Sequence, residues 1–195
     1  MNFLAHFHLA WPVDGLLAGG LEGDYYKGPL KGELPHSIEQ GVKLHRSIDA
    51  YTDAHPLIRQ LCREFPPELR RYAGILIDLS FDHYLSLHWG KYSPLELKTF
   101  NESVYGSLHT QRASLSDAAN RMLQRIIDYD ILGLYGDWET VPASAARIGE
   151  RFKRHNPFEE VDSHLTPVKL RLEEVFLQFY PQLQDFAAQT KGQLN

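Results

Sequence analysis

The sequence predicts an all-α fold, a multi-helix bundle in one domain over residues 1–195. Apolar residues recur at helical spacing along most of the chain, and no segment alternates as a half-buried strand would. Pro and Gly punctuate that pattern at intervals suited to helices, without a repeat, a low-complexity tract or an internal linker. At 195 residues the chain is long enough for one substantial core.

Taken in order, residues 2–11 read as a short apolar helix stopped by Pro12, which has no N–H to donate. Asp14 is placed to cap a second helix running to about Tyr26, ended by Gly28-Pro29. KGPLKGELPHS is a loop by its Gly and Pro content. Ser37 then suits the N-cap of a helix through about Asp53, with Gln40 completing a capping box. His55-Pro56 and Pro66-Pro67 mark breaks. From Glu68 to Trp89 comes the strongest helix, with Tyr72, Ile75, Leu76, Leu79, His83 and Leu87 on one stripe. Ser93-Pro94 opens a helix to about His109, and further helices are expected at 115–132, 140–154 and 163–190.

Composition narrows the function. Hydrophobic residues at 43% and charged residues at 23% are ordinary for a globular protein. A formal charge of −5 argues against a general nucleic-acid binder. The N-terminus lacks a secretory pattern and no run reaches membrane length, which predicts a cytoplasmic protein with no membrane partner. Cys62, the single cysteine, excludes an intramolecular disulfide and is expected as a small buried apolar residue. P-loop, G-x-G-x-x-G, G-x-S-x-G and H-E-x-x-H patterns are absent.

What stands out is the setting of acids and imidazoles in the first 90 residues. His6 and His8 lie in NFLAHFHLA, Asp24 in LEGDY, His45, Arg46, Asp49 and Asp53 in KLHRSIDAYTD, and Asp78, Asp82, His83 and His88 in LIDLSFDHYLSLHW. Each group sits among apolar residues, where a charge is costly unless it pairs or binds a metal. His45 and Asp49 are four apart on one helix, as are Asp78 and Asp82 on another, and rigid helices of this kind hold metals in bundle cores. Oxygen and imidazole donors suit Mg²⁺, Mn²⁺ or Fe²⁺ better than a thiolate zinc site. His6 and His8 point to different sides of their helix, so one of them is a candidate core histidine. Arg46 with Asp49 or Asp53 also fits a plain intrahelical ion pair, worth about 0.3–0.5 kcal/mol at a surface. His36, His55, His109, His155 and His164 read as surface residues.

MNFLAHFHLA, then GDY, then HRSIDAYTD, then LIDLSFDHYLSLHW, in that order, closely resemble the bacterial acyl carrier protein phosphodiesterases. The matching motifs cover mainly residues 1–90, with FYPQL as a further likeness near the end. That family is similar to a divergent branch of the HD phosphohydrolases, all-helical metal enzymes named for a His-Asp pair. This chain has no adjacent His-Asp dipeptide; Asp82-His83, in reversed order, and HRSID stand nearest to one.

The resemblance implies hydrolysis of the phosphodiester that joins 4′-phosphopantetheine to a serine of holo-acyl carrier protein, assisted by Mn²⁺ or Mg²⁺. On that basis the expected metal ligands are His45, Asp78, Asp82 and His83, completed by Asp24 and His8. Arg46 is the expected contact to the phosphate oxygens, and Asp49 or Asp53 would orient a ligand histidine or activate water. Acyl carrier proteins are acidic, so docking needs a local basic face. Arg147, Arg151 and Arg154 form one helical stripe beside Lys153, and Arg59, Arg63, Arg70 and Arg71 form a second candidate. The competing readings are a phosphohydrolase of a nucleotide or another small phosphodiester, and a non-catalytic module that binds the carrier protein.

Overall fold

The computed structural model describes residues 1–152 and 158–194. Among them are eleven α-helices and no strand. In chain order these are α1 (Phe3–Ala10), α2 (Asp14–Glu22), α3 (His36–Ala54), α4 (Pro56–Glu64), α5 (Ala73–Leu87), α6 (Leu97–Gln111), α7 (Asp117–Asp128), α8 (Ile131–Leu134), α9 (Thr140–Gly149), α10 (Val161–Leu165) and α11 (Lys169–Gln193). No helix among them is long and apolar enough to cross a membrane.

Helix α1 lies at the centre and is buried on almost every side, packing on α2, α3, α5 and α11. Its first turn leaves backbone N–H groups that no helix can satisfy internally. Asn2, at the N-cap, makes no side-chain cap bond. The Asp82 carboxylate of α5 does this work instead, accepting from Leu4 N at 2.8 Å and Ala5 N at 3.1 Å. One core cluster then runs from Leu4 and Phe7 through Phe81 to Phe176, Phe179 and Leu183 of α11. Phe81 meets Phe176 and Phe179 at ring distances of 5.4 and 5.9 Å. Each such buried ring contributes about 1.5–3 kcal/mol.

The glycines of α2 set how closely α3 approaches. A Cβ on Gly19 would lie 2.5 Å from Gly41 Cα, so only this pair of bare backbones permits the crossing. One turn further on, Gly23 faces the His45 ring, and a Cβ there would lie 2.5 Å from its Cγ. The same seam thus brings the end of α2, with Asp24, to His45 on α3.

Several boundaries differ from the sequence reading. Helix α2 ends at Glu22 rather than near Tyr26, since the chain turns at 23–25 to pass His45. Asp14 does not cap it; its Oδ1 accepts from Ser107 Oγ of α6. No capping box forms at Ser37, because α3 begins at His36 behind Pro35 and Gln40 bonds the His36 ring. The 68–89 helix divides into a 3₁₀ turn (Arg70–Tyr72), α5 and a second turn (Trp89–Lys91), and Leu87 is 57% exposed. The helix expected at 115–132 breaks at Asp130, whose φ of 45° is left-handed. Helix 163–190 is α10, a 3₁₀ turn and α11, and α11 continues through Pro181. Cys62 is half-buried rather than buried.

Candidate metal centre

The carboxylate of Asp49, on α3, lies between two imidazoles from different helices. His6 Nε2 of α1 is 3.2 Å from Asp49 Oδ1, and His45 Nε2, one turn back on α3, is 3.1 Å from Oδ2. The two rings stack, with centroids 4.0 Å apart and 16° between their planes. Donor atoms of all three residues lie within 4.8 Å of one another. Asp24 adds a carboxylate 3.8 Å from His45 Nε2. Asp78 of α5 lies on the other flank, where the Met1 α-ammonium is 2.9 Å from Asp78 Oδ1 and 3.5 Å from Asp49 Oδ1.

The imidazoles are buried and the carboxylates face the opening. His6 is 4% exposed, against 40% for the Asp49 side chain and 49% for that of Asp24. Burial, helped by the neighbouring His45, pushes the His6 pKa down to about 3, so the ring is neutral at pH 7. What His6 offers Asp49 is therefore a dipole rather than a charge. Burial alone would raise the Asp49 carboxyl; the close approach of the His45 and His6 rings more than reverses this and holds it well below the usual range. Burial raises the Asp78 carboxyl, opposed by the Met1 ammonium. That ammonium, which burial would lower, is lifted to about 10 by Asp78 and Asp49.

Both His6 nitrogens, His45 Nδ1 and Asp49 Oδ1 are buried without a hydrogen bond, because the close His6–Asp49 approach lacks hydrogen-bond geometry. Orphaned polar atoms of this kind are rare in folded proteins. Two buried imidazoles and an ionised carboxylate, converging with several of their polar atoms unpartnered, fit a divalent cation. The residues placed to hold one are His6, His45 and Asp49.

The remaining expected residues fall elsewhere. His8 points away from the cluster: its Nε2 donates to Tyr92 O at 3.2 Å, and its Nδ1 lies 2.7 Å from the Tyr180 hydroxyl. It lines a pocket of about 700 Å³ with Tyr92 and Lys191 that holds none of the three converging residues. His83 donates from Nδ1 to Tyr135 O at 2.9 Å and packs against Trp138. Asp82 spends both oxygens on the start of α1, and burial raises its pKa to about 7 against the pull of those N–H groups. Arg46 is not free for a phosphate; it donates to Gly28 O at 2.9 Å and Tyr26 O at 2.8 Å, tying down the loop after Asp24. Asp53 is exposed beyond the cluster, near Asp78. His88 pairs with Glu173 at 2.7 Å. Arg147 and Arg151 are exposed, and Arg151 lies close enough to Tyr25 to act on its hydroxyl; Lys153, Arg154 and His155 lie outside the described residues.

His6 was the residue that sequence reading passed over in favour of His8. Apolar periodicity could not separate the two, because α1 is buried around nearly its whole circumference.

A family model described as acyl carrier protein phosphodiesterase matches residues 1–183. A protein of Photorhabdus laumondii subsp. laumondii named acyl carrier protein phosphodiesterase is 29% identical, covering 96% of this chain and 95% of its own. Proteins of the same name from Salmonella agona and Yersinia pestis are 32% and 33% identical, covering 96% and 93% of this chain and 98% and 94% of their own. No solved structure matches. With the family model spanning residues 1–183 and relatives of that name at 32% and 33% identity over nearly the whole length, the chain belongs to the acyl carrier protein phosphodiesterase family.

Proposed function

We propose that this protein hydrolyses holo-acyl carrier protein to apo-carrier protein and 4′-phosphopantetheine at a divalent metal held by His6, His45 and Asp49. The observation that carries this reading is the convergence of those three side chains, with buried polar atoms on each left unpartnered, in a chain of this family. Manganese is the ion we assign, since a mixed imidazole and carboxylate set without thiolate suits a first-row divalent ion.

In the reaction, water adds to phosphorus, the bond from phosphorus to the serine oxygen breaks, and the serine recovers a proton. A divalent ion there would lower the pKa of a water and offset charge on the phosphoryl oxygens. The two buried imidazoles fix the donor positions, because the stacked rings cannot turn independently. Asp49 supplies the negative charge that makes the pocket selective for a cation. Asp24 faces the opening beside His45 and is the nearest exposed carboxylate to receive a proton from the attacking water. Arg46 acts at one remove by holding the Asp24 loop.

The carrier protein docks, in this reading, on the exposed Arg147 and Arg151, since the charge of Arg151 acts on the hydroxyl of Tyr25, the residue after Asp24. A cytoplasmic location and a single catalytic domain, built on the one core cluster, belong to the same reading. Intact-mass spectrometry of holo-acyl carrier protein incubated with the protein and Mn²⁺ tests it. Loss of the phosphopantetheine mass, blocked by EDTA, is expected; an unchanged mass with metal-loaded protein overturns the substrate assignment. A rate independent of salt would remove the docking face.

A further inference from the structure

A cleft of about 330 Å³ opens between α4 and α5 and shares Asp78 with the acidic flank of the metal centre. Its walls differ in chemistry. Arg59 and Arg63 present guanidinium groups, Asp53 and Asp78 present carboxylates, and Ile77 lines the apolar side. Arg59 is anchored through Nε, which donates to Asp53 O at 3.2 Å. Arg63 is exposed and makes no ion pair among the described residues. At Gly74, in the first turn of α5, a side chain would meet nothing within 4 Å, so the cleft is open where that residue stands.

The role expected of Arg46 gives the cleft its interest. With Arg46 committed to two backbone carbonyls, Arg59 and Arg63 are the guanidinium groups that share a cavity wall with Asp78. Separated from the converging histidines by Asp78 and the Met1 ammonium, they suit a part of the substrate beyond the phosphorus. The 4′-phosphopantetheine arm carries amide carbonyls and hydroxyls that need donors, amide N–H groups that need acceptors, and methylene and methyl groups that need an apolar wall. The cleft offers all three, and pockets that orient a ligand combine them in this way.

We infer that the α4–α5 cleft is the subsite for the 4′-phosphopantetheine arm, with Arg63 donating to its carbonyl or hydroxyl oxygens and the space over Gly74 admitting its chain. This rests on the substrate reading above. It adds that recognition of the prosthetic group is built into the enzyme beside the metal centre rather than left to the carrier protein surface.

Product binding tests this without turnover. Calorimetric titration of the Mn²⁺-loaded protein with 4′-phosphopantetheine, and separately with inorganic phosphate, gives the preference for the arm. A preference of at least about tenfold is expected in the wild type. Gly74→Leu, which fills the cleft from an exposed helical position and improves helix propensity, is expected to abolish it, and Arg63→Gln to reduce it several-fold. No preference in the wild type, or a full preference retained in Gly74→Leu, overturns the subsite. Wild-type protein that binds the arm selectively but leaves holo-carrier protein intact by mass would strike the substrate reading instead, so the two failures are distinguishable.

Discussion

The imidazoles of His6 and His45 stack at a centroid distance of 4.0 Å, one from the buried central helix and one from the helix packed beside it. Neither ring can move without the other, and both present a nitrogen to Asp49. The geometry of the candidate centre is therefore a property of how α1 and α3 pack, and it responds to changes in that packing.

Gly23 stands behind His45, and an added Cβ would press on the ring at 2.5 Å from Cγ and 2.6 Å from Cδ2. Gly23→Ala is expected to keep the fold at a cost of about 1–3 kcal/mol while weakening Mn²⁺ binding by about tenfold or more. Melting temperature and metal calorimetry on the same preparation check both parts. Unchanged metal affinity would mean that the ring is free to shift.

Asp82→Asn removes one of two acceptor oxygens and turns an amide NH₂ toward a backbone N–H of α1. A loss of about 1–3 kcal/mol in urea unfolding is expected, the usual cost of a buried donor left unpaired. A variant as stable as the wild type would show that α1 has another cap.

His8 gives a pH dependence with a definite sign. Burial lowers its pKa from 6.5 to about 4, so between those values the unfolded chain binds a proton that the folded chain does not. Its contribution is fully present above pH 6.5 and is lost as pH falls toward 4, by at most roughly 3 kcal/mol. His6 titrates in the same direction, so the informative quantity is the difference between wild type and His8→Gln. The wild type should lose its advantage over this variant across pH 6.5 to 4, and a constant difference would remove the claim that His8 is buried neutral.

Arg46→Lys discriminates a loop anchor from a phosphate contact. Lysine has one nitrogen where Arg46 uses two, Nη1 on Gly28 O and Nη2 on Tyr26 O, so a stability loss of about 1–2 kcal/mol and a fall in activity under about tenfold are expected. A loss of about 10³-fold in kcat with unchanged stability would return Arg46 to the phosphate.

The helices were readable because their faces are periodic; the places where reading failed are those where distant partners decide. Asp82 and Asp49 look alike in sequence, as acids one turn from another polar group. Yet Asp82 meets the backbone N–H groups of Leu4 and Ala5, 78 and 77 residues away, which no local pattern reveals. His45 and Asp49 were legible as an i, i+4 pair and do meet. His6 and His8 were not separable by apolar periodicity, because α1 is buried around nearly its whole circumference. Asp130 broke a helix whose apolar pattern continued through it, by adopting a left-handed backbone that its side chain tolerates.

The measurement that bears most directly on the metal centre is an electron paramagnetic resonance titration of Mn²⁺ into the wild type and Asp49→Ala. The wild type is expected to quench the free-ion signal, and Asp49→Ala to bind at least about 100-fold more weakly while remaining folded by circular dichroism. Equal binding by the two proteins would contradict the centre formed by His6, His45 and Asp49.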